Sequence, residues 1–478
     1  QELGLASRDI RLAFKLAAQY EGNAEEYETY ADIKDAVVVY DNDTYLPGDL
    51  SAHAFVRTDS TSLQINNKIL ELDLNSNADP VDLSNALNRH YESYFTEVDP
   101  LDTVQKPVNL KLRGTIMDDP VLSEVFLSNL EELDTIHIEA DFNEKERKLD
   151  ALVSLPYINY YSSEIDSLEF SLNSDPDNFD FNLGFNAINS GPIAIQKTDF
   201  HGSLTEDKLF LDFTSMQGEE RLIHMASKIT KPGDSIEFHI NPEDLILNKR
   251  EWNIAAGNKM VIHDQEITAN NFRLTRNNQE MLLSSELSYS DKNHIGLEFT
   301  NFNLGAILNY FNPEEELATG QLNGHLIFED PLQKIGILAG MEINQLNVMQ
   351  VELGKLSLNS TPKADFLYDV GLAIKGENVN LDMSGDFQAL DSTTVVDMEM
   401  QINKINMKTV EGFSMGAINN GEGSFSGNLS LEGTTTEPEY NGQLQFDEAQ
   451  FRVALLNAPF KFPSETLEFD NAGIYFNE

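Results

Sequence analysis

The chain has 478 residues, more than one compact hydrophobic core usually serves. Its 80 acidic residues against 32 basic ones leave a net charge of −48, a surface that repels nucleic acid and anionic membrane surfaces, so a nucleic-acid role is excluded. There are no cysteines, which excludes disulfides, thiolate metal ligands and a cysteine nucleophile.

No Pro/Gly/Ser-rich linker and no low-complexity run divides the chain, so one elongated body is expected. No apolar run is long enough to span a membrane. The sequence begins at Gln1 without a charged n-region followed by an apolar h-region. It reads as a fragment of a longer or processed protein, with any membrane anchor outside it.

Ile10, Leu12, Phe14 and Leu16 alternate with Arg11, Ala13 and Lys15 in a first expected strand. Leu50 to Val56 and Leu70 to Leu74 repeat the alternation. Asp79-Pro80 reads as an N-cap and first helical residue, and Val81, Leu83, Leu87 and Tyr91 keep helical spacing, which predicts a helix over about 80–95. A second short helix is expected after Asp119-Pro120, with Val125, Leu127 and Leu130 apolar.

Strands dominate from about residue 133. Leu168, Phe170 and Leu172 alternate with Glu169 and Ser171. After the turn Asp175-Pro176-Asp177-Asn178 come Phe179, Phe181, Leu183 and Phe185. Leu209, Leu211 and Phe213 follow, then Leu283, Leu287 and Tyr289, then Leu297 and Phe299. Later sets are Val370, Leu372 and Ile374; Val379, Leu381 and Met383; Val396, Met398, Met400 and Ile402; and Phe451, Val453 and Leu455. Near the end two short strands are expected, one holding Phe425, Leu429 and Leu431, the other Leu444 and Phe446, joined by a turn with Gly433 and Pro438. Short strands at roughly 8–12-residue spacing predict an all-β antiparallel fold with a few short helices.

The chain also repeats itself. Residues 301–347 hold a short amphipathic piece with a helix expected about 303–311, then Gly320-Gln-Leu-Asn-Gly324-His-Leu-Ile-Phe328, then Pro331. Residues 405–453 hold Met407 to Phe413, then Gly423-Ser-Phe-Ser-Gly427-Asn-Leu-Ser-Leu431, then Pro438. Units of this kind stacked end to end give a quasi-one-dimensional architecture. The expected segments are an N-terminal piece over 1–104, a central piece over 105–300 and repeat units over 301–404 and 405–478.

The chemistry of catalysis is missing. The histidines form no His-x-His or His-x-x-x-His pair, so no metal site is assigned. Gly423-Ser-Phe-Ser-Gly427 has Phe425 where a nucleophile elbow has serine. Gly421-Glu-Gly423 lacks the third glycine of a dinucleotide fingerprint. Asp41-Asn-Asp43 beside Gly48-Asp49 lacks the full calcium-loop pattern and reads as a solvated turn. The chain is read as non-enzymatic, with no cofactor.

What remains is the apolar face. Alternating strands make either closed sandwiches or, if one long sheet curls on itself, an open apolar trough, and the pattern fits both. A trough needs a ligand, because soluble proteins rarely leave so large an apolar patch bare. Phe and Met suit disordered acyl chains. The candidate lining residues are those from Leu168 to Phe213 named above, with Leu297, Phe299, Leu372, Ile374, Met398, Met400, Ile402, Leu429, Leu431, Leu444 and Phe446.

The C-terminal motif resembles the TamB family of translocation and assembly module proteins, within the AsmA-like group. The resemblance is carried by Gly423-x-Phe-x-Gly427-x-Leu-x-Leu-x-Gly433-Thr, Pro438, Gly442-x-Leu-x-Phe446 and Phe469-x-Asn471-x-Gly473-Ile474. Trp252-Asn-Ile254 through Asn271-Phe272-x-Leu274, and Gly320-x-Leu-x-Gly324 to Pro331, are also similar to that family. The resemblance implies an elongated, curled antiparallel sheet forming an open U-shaped groove with an apolar interior. It implies a periplasmic protein of a Gram-negative bacterium, anchored in the inner membrane through a segment outside this chain, that conducts phospholipids to the outer membrane. Its implied partners are phospholipid acyl chains and a TamA-type outer-membrane β-barrel. The alternative is a scaffold offering sheet edges to outer-membrane protein strands.

Overall fold

The computed structural model describes residues 10–94, 104–332, 335–390 and 393–477. The chain divides into two compact units, one of residues up to Glu219 with Lys228–Thr230, the other of Glu220–Ser227 with the residues from Lys231 on. The fold is all-β, with large antiparallel sheets that do not close into a barrel, as a curled open sheet requires.

In the first unit the ladder is almost a plain succession of neighbours. Ile10–Gly22, Tyr27–Tyr40, Leu50–Arg57, Ser60–Asn66, Leu70–Ser76, Asn109–Ile116 and Ile136–Asn143 pair antiparallel in that order. Lys148–Tyr160, Ser163–Ser174, Asn178–Ser190, Ile193–Thr205 and Lys208–Gln217 continue it. The strands are longer than the repeat spacing implies, because tight turns such as 175–177 take little chain. There the Asp175 carboxylate accepts from the backbone N–H of Asp177 and Asn178 at 2.8 and 2.9 Å, which replaces ladder partners the turn lacks.

The helix Pro80–Glu92 interrupts this ladder. Asp79 caps it by accepting from Val81 and Asp82 N–H at 2.8 and 2.9 Å. It ends at Glu92, short of the expected end; residue 95 lies outside the described residues. Leu83, Ala86 and Leu87 come down on Leu74, Val108, Leu110, Phe142 and Leu149. The expected second helix is a single π-helical turn, Val121–Phe126, whose buried Val125 meets Val38 and Tyr40; Leu130 already belongs to a strand.

In the second unit a long ladder runs from Asn253–Ile254 through Phe272–Arg276, Gln279–Ser284, His294–Asn303, Ala318–Glu329 and Gly336–Val348. It goes on through Val351–Ala364, Leu367–Lys375, Val379–Ala389, Thr394–Asn406, Ile418–Thr434, Pro438–Val453, Thr466–Asp470 and Gly473–Asn477. A smaller ladder of Ser235–Ile240, Lys259–His263 and Glu266–Asn270 packs Phe238, Ile240, Met260 and Ala269 against Trp252, Phe272 and Leu274.

The two strands around Gly433 and Pro438 are not short. They span Ile418–Thr434 and Pro438–Val453, and Pro438 opens the second rather than sitting in the turn. Leu287, Tyr289 and Leu455 fall outside strands. Leu287 folds instead over Gly296, where a methyl would stand 2.7 Å from it, and packs on Ile327. Tyr289 stacks on His325 with ring centroids 3.5 Å apart and donates to Glu298 at 3.0 Å.

The sequence repeat is a structural one. His294–Asn303, the short helix Gly305–Leu308 and Ala318–Glu329 match Thr394–Asn406, the helix Met407–Phe413 and Ile418–Thr434. The first glycine of each motif carries positive φ, +150° at Gly320 and +78° at Gly423, and the ladder register shifts at both. A bulge there needs a residue without a Cβ.

Candidate functional site

Registering the strands shows where the expected lining residues go. In the first unit, Leu155 faces Leu168, Val153 faces Phe170 and Ala151 faces Leu172. Phe170 then faces Leu183, and Leu172 faces Phe181. Phe179 pairs with Leu204, Phe181 with Gly202, Leu183 with Phe200 and Phe185 with Thr198. Leu204 pairs with Leu209, Gly202 with Leu211 and Phe200 with Phe213. Directly opposed residues share a face, so all the expected lining residues from Leu168 to Phe213 lie on one face.

The same face runs backwards through residues not counted among the expected lining. Val153 leads to Ile138, and Ala151 to Ala140 and Leu112. Leu112 leads to Leu74, Leu63 and Ala54. The alternation that reveals this was present in Leu70 to Leu74, but small residues such as Ala140 and Gly114 weaken it.

In the second unit, Met281 faces Phe299 and Leu283 faces Leu297. Further on, Leu358 faces Leu372 and Leu356 faces Ile374. Leu372 faces Met383, which faces Met400, while Leu381 joins Ile374 to Ile402. Met400 meets Leu429 and Met398 meets Leu431. Gly427 then meets Leu444, and Phe425 meets Phe446. All expected lining residues of this unit therefore share a single face as well.

Most of these side chains are half-buried. Only Ile402 and Phe446 among them are buried, at 7% and 8% exposure, and Leu183 rises to 40%. The faces are thus neither sealed like a sandwich core nor fully bare. Aromatic rings fill gaps left by glycine across the ladder: a methyl on Gly202 would stand 2.2 Å from the Phe181 ring, and one on Gly442 would stand 2.5 Å from Phe469. The opposite face of the second unit carries polar rows such as Glu298, His325, Gly340, Asn359 and Gly371, beside one buried apolar cluster of Leu282, Ile327 and Leu338 under Leu287.

The faces are closed along one rim. In the first unit that rim lies under the helix Pro80–Glu92, where Phe142 is wholly buried. Arg89 holds the helix down by donating to Glu144 at 3.0 and 2.7 Å, and the same carboxylate accepts from Val108 N–H at 2.7 Å. In the second unit Leu304 and Ala306 of the first short helical segment, and Met407 and Val410 of the second helix, cover the corresponding rim. At the start of that unit the face is covered more fully, since Phe299 packs into the core around Trp252.

His90, 1% exposed, is buried beside the first face. Its Nε2 stands 2.9 Å from the Ser174 hydroxyl, which also accepts from Leu149 N–H, while its Nδ1 meets no protein donor or acceptor. Burial pushes the imidazole pKa down, with Arg147 adding to that effect and Glu144 opposing it. A folded-state pKa below the unfolded value means that His90 adds no penalty above about pH 6.5, and that stability is lost as pH falls below it. Urea midpoints should therefore fall between pH 7 and pH 5 by more in the native protein than in His90→Phe.

Among the described residues no group of three or more His, Asp or Glu stands where it could hold a metal ion. Among the described residues no helix is long and apolar enough to cross a membrane. Comparison with protein-family models, with curated proteins and with solved structures finds no match to this chain.

Proposed function

We propose that this chain is part of an envelope lipid-transfer protein, whose apolar faces carry phospholipid acyl chains between the inner and outer membranes. The observation that carries this reading is the largely half-buried apolar face that runs across neighbouring strands, over most of the first unit and over the later strands of the second. An acyl chain gains roughly 0.8 kcal/mol per buried CH₂ whether it lies in a bilayer or on such a face, so exchange between the two is near balance. A face without a specific polar pocket has no deep trap along it. The periplasmic setting and the barrel partner come from the family resemblance.

Native mass spectrometry of gently purified protein tests this. Phospholipid should be retained, in one or several copies. Lipid-free protein that also binds no apolar dye would overturn the proposal.

One observation favours the scaffold reading instead. The strand Ile10–Gly22 is paired only with Tyr27–Tyr40 among the described residues, and Leu12, Phe14 and Leu16 on it are 59%, 50% and 58% exposed. Such an edge accepts another strand. If it is the working surface, a proline within it will abolish function while charges on the faces will not.

A further inference from the structure

The second unit's face is not symmetric between its two rims. Both helical segments, Gly305–Leu308 and Met407–Phe413, lie at one rim, together with the turns 349–350, 376–378 and 454–457. Among the described residues the other rim holds no helix; turns 365–366, 435–437 and 471–472 lie there. In the strands from Val379 to Val453, burial follows this division. Val379, Leu381, Ile402, Phe446 and Ala449, near the helices, are all buried. Phe387, Val396, Met398 and Leu431, toward the other rim, are half-buried, and Tyr440 is 41% exposed.

The opening starts beyond Tyr368. That side chain is 1% exposed, and its hydroxyl donates to buried Glu329 at 3.1 Å. Burial, with Glu329 alongside, pushes the Tyr368 phenol up to about 12, so it stays neutral and closes the face at that point.

The helix-free rim is also acidic. Its turns and strand ends carry Asp330, Asp365, Glu437 and Asp470. The lysines described there are engaged, Lys292 with Glu329 at 3.1 Å, and Lys363 with Asp369 at 2.9 Å and with Asp386. Around them the chain as a whole carries −48. This setting attracts an ammonium group and repels a net anion.

Building on the lipid-transfer reading, we infer that a phospholipid seats across this face in one direction, acyl ends toward the helices, with an amine-bearing zwitterionic headgroup at the helix-free rim. The apolar end of the lipid then meets the most desolvated side chains, and its polar end stays in water beside carboxylates. The same arrangement disfavours lipids of net negative charge.

The chain has no native cysteine, so a single one can carry a fluorophore without background. Phe425 and Leu431 share the face on one strand, Phe425 against the helix-side cluster of Met407 and Phe446, Leu431 nearer the open rim. Phe425→Cys and Leu431→Cys, each labelled in the full chain, are mixed with phosphatidylcholine vesicles bearing a nitroxide either at the tail end or next to the headgroup. The tail-end nitroxide should quench the Phe425 label more strongly, and the order should reverse at Leu431. The same order at both positions, or the opposite reversal, overturns the seating while leaving the lipid reading intact. No quenching at either position, with both labelled proteins folded by circular dichroism, overturns both. Unlabelled phosphatidylethanolamine vesicles should relieve quenching at several-fold lower concentration than phosphatidylglycerol vesicles; equal potency, or the reverse, overturns the headgroup assignment.

Discussion

Phe181→Asp should remove at least about nine-tenths of the lipid that co-purifies with the protein, while leaving its circular dichroism spectrum unchanged. The ring lies in the middle of the first unit's face, opposite Leu172 on one side and Gly202 on the other. An aspartate there places a carboxylate under any acyl chain crossing the face, with no lysine or arginine opposed to it in the ladder. Covering such a charge with hydrocarbon costs several kcal/mol, and about 1.4 kcal/mol is already tenfold in occupancy. The strand itself survives because Phe181 is only half-buried and the new side chain can turn toward water. Asp180→Phe, on the opposite face of the same strand, is the control that changes composition without charging the apolar side. Equal lipid retention in Phe181→Asp and the native protein would contradict the proposed role of this face.

Phe142→Ala should have the largest effect on stability, about 3–5 kcal/mol in urea unfolding followed by circular dichroism. Phe142 has no exposed surface and sits between the sheet and the helix Pro80–Glu92, touching Ala86, Val108 and Leu110. His90 presents its ring edge-on at 5.3 Å. The cavity is bounded by backbone ladder on one side and a capped helix on the other, so it collapses poorly. Phe142→Leu should cost less than half as much, since it keeps most of the volume. If the alanine variant loses under about 1 kcal/mol, the helix is not seated on Phe142 as described.

Much of this was legible in the sequence, for one reason. Period-two alternation determines which face each residue occupies, and a one-residue slip would expose every apolar side chain, so Phe179 to Phe185 and Met398 to Ile402 fall on their faces without help from tertiary context. The capped helix was equally legible from Asp79-Pro80. Strand lengths were not, because polar residues such as Asn441 and Gln450 continue a strand as readily as they end one. Leu287 was misread because an isolated leucine looks the same whether it extends a ladder or folds back over a glycine such as Gly296. The closing of one rim by helices depends on contacts such as Arg89 to Glu144, which are 55 residues apart and have no local signature.

The near-consecutive pairing of strands also bears on how such a chain comes to be folded. Most strands in each ladder bond to the strand just made, so hardly any pairing waits for a distant stretch of sequence. Loop closure is short at nearly every step, which favours growth of structure from an existing edge over a search for remote partners. A chain delivered one end first could therefore zip up behind its point of emergence, each hairpin using the previous one as its template. Interruption at any stage would leave a shorter sheet of the same kind rather than a collapsed, mispaired globule.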